Sequence, residues 1–284
     1  THPLGEVNES NDTWMADFKG WFLTQNNEKC EPFTLTDGFS RYLIKCTHIE
    51  HKTIAAVWDI IAEAFHEYGL PNKFRTDNGP PFGSTGVGRL TRLSINLIKA
   101  GVTPEWIQPG HPEENGRHER MHLTLKQDTA DPPAENLQQQ KRRMQRFQRE
   151  YNFERPHEAL HMQTPASVYR ISNRTWDGKL RDPEYDSGST LVRKVGGNGC
   201  IRHVGKDYFI GQTLSEEYVG LRETEQGYQV YYASVYLGRL ILGQPLEKPK
   251  IEGGKGYYAR TRTKSGLCPA PRQGLLALCK PGAG

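Results

Sequence analysis

One stretch limits this chain more than any other: Pro109-Gly110-His111-Pro112-Glu113-Glu114-Asn115-Gly116-Arg117-His118-Glu119-Arg120-Met121-His122-Leu123-Thr124-Leu125-Lys126. A loop broken by Pro and Gly runs straight into a helix-forming segment, so whatever the loop holds is carried beside the first helical turns. Glu119 stands there among Arg120, His122 and Lys126, one carboxylate among cations on a surface suited to a phosphate backbone. Two further acids sit at the ends of short apolar runs: Asp17 in Trp14-Met15-Ala16-Asp17-Phe18-Lys19-Gly20-Trp21-Phe22, and Asp77 in Phe74-Arg75-Thr76-Asp77-Asn78-Gly79-Pro80-Pro81-Phe82. Hard divalent cations take oxygen ligands, and a pair about 3.5–4 Å apart activates an attacking oxygen while stabilising a leaving one. Asp17, Asp77 and Glu119 are therefore candidate ligands for two Mg²⁺ ions, with Mn²⁺ as a possible substitute.

These acids and their flanks resemble the integrase core of DDE transposases and retroviral integrases, above all the bacterial insertion-sequence transposases. The likeness extends through Thr36-Asp37-Gly38-Phe39-Ser40-Arg41-Tyr42 and through Tyr151-Asn152-Phe153-Glu154-Arg155-Pro156-His157, with Thr164-Pro165-Ala166, and covers roughly residues 12 to 170. The interval from 77 to 119 is 42 positions, longer than the retroviral pattern, and Gly83-Ser84-Thr85-Gly86-Val87-Gly88 takes up the extra length as a loop. The resemblance implies an RNase H-like α/β fold, with Asp17 on the central strand, Asp77 at the end of its neighbour and Glu119 on the facing helix. It also implies a polynucleotidyl transferase, in which Asp17 bridges the metals while transposon ends are cleaved and a 3′-OH is transferred into target DNA. Transposon-end and target DNA would be the partners, a homo-oligomer would form on the DNA, and the protein would be cytoplasmic and nucleoid-associated in a bacterium. Transposases of this type usually carry helix-turn-helix domains before the core, so the chain reads as the downstream part of a longer protein.

Periodicity supplies the elements. Residues 13–24 read as a strand, followed by strands at Phe33–Thr36 and Tyr42–Cys46 around an Asp37-Gly38 turn. Ile54, Val57, Trp58, Ile61, Ala62 and Phe65 recur at helical spacing up to Gly69. Lys73–Thr76 reads as a strand, a helix carries Leu90, Leu93, Leu97 and Ile98, a strand follows from Thr103 to Gln108, and 134–151 is a basic helical run. After Trp176 six short alternating runs between Thr190 and Leu240 suggest a small all-β, SH3-like barrel. The expected organisation is a linker over 1–12, a catalytic core with a mixed five-stranded sheet over 13–172, a linker over 173–187, a β-rich module over 188–248, and a disordered basic tail over 249–284.

Lys19, Asn78, Asn115, Arg117, His118, Arg120, His122, Lys126, Arg142, Arg143 and Arg146 are candidates for contact with DNA. The formal net charge of +4 is too mild to argue nucleic-acid binding by itself, so local clustering carries the point. The five cysteines show no C-x-x-C spacing, which argues against a zinc site or a disulfide framework and suggests thiols. No apolar run approaches the roughly 18 residues of a membrane span. Two other readings stay open: a nuclease of the same fold that only hydrolyses, and an inactive DNA-binding remnant. His118 and His122, four positions apart on a helix, keep a zinc site in view.

Overall fold

The computed structural model describes residues 7–107 and 116–249, the side chains of 116–118 excepted. Strand β1 (Thr13–Phe18) is followed by a small hairpin of β2 (Phe22–Leu23) and β3 (Lys29–Cys30), then by β4 (Pro32–Asp37) and β5 (Leu43–His48). Helix α1 (Ile54–Tyr68), β6 (Lys73–Thr76), α2 (Arg92–Lys99) and β7 (Thr103–Trp106) come next. Helices α3 (Gly116–Thr129), α4 (Leu137–Phe153) and the short α5 (Pro165–Val168) follow. The strands form one five-stranded sheet in the order β5-β4-β1-β6-β7. β1, β4 and β5 pair antiparallel, and β6 and β7 continue the sheet parallel to β1. This is the mixed sheet with helices that the resemblance implies.

β1 is central, so its residues are buried whichever face they point to: Trp14, Met15 and Ala16 are all in the core. Trp14, Phe33, Ile44, Phe65 and Phe74 join the buried face of α1 in one apolar cluster. Helix α1 starts at Thr53, whose side chain accepts from Ala56 N at 3.2 Å. It ends at Gly69, held at φ 77° where a Cβ would stand 2.9 Å from the backbone of both Ser172 and Arg174. The chain after the core therefore passes directly over that helix end. Residues 173–187 carry no helix or strand, yet they lie against the core: Arg174 donates to the carbonyls of Pro71 and Gly101, and Trp176 packs on Trp58 and Phe65.

Two boundaries differ from the periodicity. The strand expected over 13–24 stops at Phe18, because the chain turns at Gly20 (φ 84°) and resumes as the separate β2. Leu90 precedes α2 instead of belonging to it, since Thr91 is the cap, accepting from Ser94 N. The Asp37-Gly38 turn has an internal cause: Asp37 is buried and accepts from Asn11 N (2.7 Å), Ser40 N (2.8 Å) and Ser40 Oγ (2.6 Å). Burial pushes its carboxyl above the usual range while these donors oppose the shift.

The C-terminal strands are β8 (Leu191–Lys194), β9 (Cys200–His203), β10 (Lys206–Phe209), β11 (Tyr218–Thr224), β12 (Gly227–Tyr232) and β13 (Val235–Leu240). They make a four-stranded antiparallel sheet, β13-β12-β11-β8, and a β9–β10 hairpin. Ile201, Tyr208, Val219, Leu221, Val230, Tyr232 and Leu237 form its apolar centre, and Val87, Leu90 and Ile95 from the α2 region enter the same cluster. The β module is thus packed on the core through shared side chains. The tail expected beyond 249 lies outside the described residues. Cys30 and Cys46 are buried free thiols, whereas Cys200 is disulfide-bonded, which corrects the expectation of thiols throughout. Among the described residues no helix is long and apolar enough to cross a membrane.

Candidate active site

The sheet register brings the first two acids together. Met15 of β1 pairs with Arg75 of β6, and the two strands run parallel. Asp17 lies two residues further along β1 and Asp77 one residue past the end of β6, so continuing the register puts the two at about the same level at the carboxyl ends of adjoining strands. In open α/β sheets this end is where ligands bind. The electrostatics agree with that closeness. Surrounding protein pushes the Asp77 carboxyl above its usual range, and the neighbouring Asp17 charge adds to the shift, although Asp77 keeps its tip exposed and Gly79 N–H donates to Oδ1 at 3.2 Å.

Asp17 is held from several directions. Its Oδ1 accepts from Phe18 N at 2.7 Å, and its Oδ2 lies 3.9 Å from Nδ1 of His122. The other ring nitrogen of His122 is 2.8 Å from Thr34 Oγ1, and that hydroxyl also donates to the Asp17 carbonyl at 3.2 Å. His122, a candidate for contact with DNA, is 7% exposed, with its ring nitrogens toward Thr34 and Asp17. Its structural role is to fasten α3 onto β1 and β4 beside Asp17. No local pattern announces this, because Thr34 lies 88 positions away.

Glu119 is in the first turn of α3 and exposed to solvent. It sits three residues before His122, the spacing that puts side chains on one helix face with Cβ atoms about 5–6 Å apart. The helix therefore carries Glu119 toward the Asp17 end of the sheet. In this structure it does not close on the two aspartates: among the described residues no three His, Cys, Asp or Glu side chains form a metal-holding group. The preceding segment, including Asn115, lies outside the described residues, as do the side chains of Arg117 and His118. The His118–His122 zinc pair loses support from the His122 side, because that ring faces Thr34 and Asp17.

The remaining candidates divide by their partners. Lys19 and Lys126 line one cleft of about 180 Å³ together with Trp21, Phe22 and Pro32. Arg120 lines a larger one of about 480 Å³ with Arg41, Arg155, Tyr151 and His157. Arg41 was not singled out by sequence; it belongs to the Asp37 turn and reaches this cleft only through the fold. Asn78, exposed to solvent, donates to Ile107 O at 2.6 Å and accepts from Arg89 at 3.0 Å. On α4, Arg142 is exposed, Arg143 donates to Pro132 O at 2.7 Å, and Arg146 pairs with Glu150 at 2.5 Å.

Solved structures with a similar course of chain are retroviral. The HTLV-2 integrase catalytic core domain in complex with magnesium (trimeric form) is 15% identical, covers 58% of this chain and 100% of its own, and superposes with a TM-score of 0.46. A chain of the simian T-cell lymphotropic virus intasome in complex with PP2A regulatory subunit B56 gamma is 15% identical over 86% of this chain and 84% of its own (TM-score 0.48). The BIV integrase catalytic core domain is 20% identical over 56% and 93% (TM-score 0.42). Two family models, both described as integrase core domain, match residues 7–112 and residues 100–165. Together the two matches run from residue 7 to residue 165, and this part of the chain is an integrase core domain by both.

Proposed function

We propose that the chain is a metal-dependent DNA transposase or integrase, cleaving transposon ends and transferring the freed 3′-OH to target DNA. The observation that supports the reading is the closeness of Asp17, near the end of β1, to Asp77, just past the end of the adjoining parallel β6, in a chain that matches the integrase core domain. Their chemistry fits a divalent cation. Burial raises the Asp77 pKa and the neighbouring Asp17 charge adds to it, so the two carboxylates supply hard oxygen donors whose repulsion a cation would relieve. Asp17, Asp77 and Glu119 would hold Mg²⁺ or Mn²⁺, which supplies Lewis-acid activation of the attacking oxygen and stabilisation of the leaving one.

The chain's own groups do the rest. Phe18 N–H orients Asp17 Oδ1, His122 stands 3.9 Å from Asp17 Oδ2, and Gly79 N–H orients Asp77. Lys19 and Lys126 on one side, and Arg41, Arg120 and Arg155 on the other, offer cations to DNA phosphates. A homo-oligomer on DNA and a nucleoid-associated, cytoplasmic location follow from that substrate. The test is a joining assay with a pre-cut transposon-end duplex and a plasmid target in Mg²⁺, comparing the native chain with Glu119→Gln. Joined product from the native chain alone supports the proposal. Cleavage without joining supports the hydrolytic nuclease, and DNA binding without either reaction supports the inactive remnant.

A further inference from the structure

Residues 77–90 join β6 to α2, and two separate apolar cores grip them. Phe82 is buried in the core of the five-stranded sheet, with ring centroids 5.4 Å from Phe18 and 6.5 Å from Phe33. Its carbonyl accepts from Trp106 Nε1 at 3.2 Å. Val87, in the next turn of the same loop, is buried in the core of the β module. Gly88 follows at φ 59°, and a Cβ there would stand 2.9 Å from Leu237 Cδ2 and 3.1 Å from Val235 Cγ1. β13 therefore rests on the loop backbone itself. From the module side, a Cβ on Gly211 would be 2.9 Å from Val87 Cγ1.

Ion pairs extend the grip along α2. Arg92 donates to Glu217 Oε1 and to Ser215 O, each at 3.0 Å, and Lys99 reaches Glu217 Oε2 at 3.1 Å and Asp182 at 2.7 Å. Glu217 is buried and accepts a further bond from Tyr232 OH at 3.0 Å. Between the two grips, Arg89 turns back toward the site. Its Nη1 donates to Asn78 Oδ1 at 3.0 Å, and Asn78 in turn donates to Ile107 O at the end of β7. The residue next to Asp77 is thus fixed between the sheet and the segment that the module clamps.

We infer that the β module braces the Asp77 loop: its contact with Val87 and Gly88 sets Arg89, and Arg89, through Asn78, holds the Asp77 carboxylate in place. Arg89 is a positioning residue in this account. A loop of this length would otherwise sample many conformations, at about 1–2 kcal/mol of backbone entropy for each residue fixed. Anchoring it in two cores orders it before any ligand arrives. The inference rests on the reading of Asp17 and Asp77 as ligands of a divalent cation. Losing a group that orients a ligand typically weakens metal binding by about 10–100-fold.

The test uses the full chain as native protein, Arg89→Ala, Arg89→Lys and Leu237→Ala. Two readouts are taken: Mn²⁺ affinity by titration calorimetry, and amide hydrogen exchange across 78–90. Arg89→Ala is expected to bind Mn²⁺ about 10–100-fold more weakly. It should also speed exchange at Gly79, Phe82 and Gly83 while the β module exchanges as before. Arg89→Lys should recover most of both effects, and Leu237→Ala should loosen the loop from the module side. If Leu237→Ala unfolds the module, seen as exchange throughout β11–β13, the Arg89 variants decide alone. Native Mn²⁺ affinity and native exchange in Arg89→Ala would overturn the brace and leave the metal reading standing. A native chain that binds no Mn²⁺ would overturn the metal reading, and the exchange at Gly79, Phe82 and Gly83 would still decide whether the module braces the loop.

Discussion

Asp17 and Asp77 lie close at the ends of neighbouring strands, and the Asp17 charge adds to the burial that raises the Asp77 pKa, a repulsion that the cation of the proposed function would relieve. Replacing one charge by its neutral isostere separates the two effects. Asp77→Asn is expected to raise the melting temperature in EDTA slightly while cutting strand transfer on the order of 10³-fold, about 4 kcal/mol of barrier. A lower melting temperature, read by scanning fluorimetry, would mean that Asp77 serves the fold instead. Both aspartates were legible in the sequence because each ends a short apolar run before a turn. The role of His122 was not: it depends on Thr34, a β4 residue brought under α3 only by the assembled sheet. The contacts of Asn78 were hidden for a related reason, since its partners Ile107 and Arg89 are 29 and 11 positions away.

Among elements, the β9 strand contains an unusual buried group. His203 is 4% exposed, neither ring nitrogen has a hydrogen-bond partner among the described residues, and the ring meets Tyr228 edge-on at 4.6 Å. Burial lowers its pKa, with the Arg193 charge adding to the shift. The neutral ring is therefore favoured in the folded state. Its stability contribution is full above the unfolded-state value of about 6.5 and is lost as pH falls through the lower folded-state value. His203→Phe keeps the ring and removes the proton, so the drop in melting temperature between pH 7.5 and 5.5 should shrink. An unchanged drop would assign the acid sensitivity to His48 and His157, which burial shifts the same way. Most elements could be read from periodicity: the Thr53 to Gly69 helix through its cap and stop, and the C-terminal strands through alternation between turn residues. The break after Phe18 could not, because Trp21 and Phe22 continue the aromatic spacing while the left-handed Gly20 turns the chain out of the sheet.

At the scale of the molecule, the module and the core share one apolar cluster and one buried carboxylate. Glu217→Ala would leave Lys99, Arg92 and Tyr232 without their common acceptor. The expected cost is about 2–3 kcal/mol, less than for a fully buried pair because Arg92 is half-exposed. That corresponds to a fall of about 3–5 °C in melting temperature for a chain of this length. A change below 1 °C would show that apolar contacts alone hold the module on α2. This docking was hidden in the sequence because Val87 and Leu90 look like stray apolar residues in a Gly-rich loop, and their partners lie more than 100 positions downstream. If Asp17, Asp77 and Glu119 form one divalent-metal site, anomalous diffraction from crystals soaked in Mn²⁺ reads it without intermediaries. A peak is expected between the Asp17 and Asp77 carboxylates with Glu119 drawn onto it, and is expected to vanish in Asp77→Asn. A peak at His118 and His122, or none near the aspartates, would contradict that site.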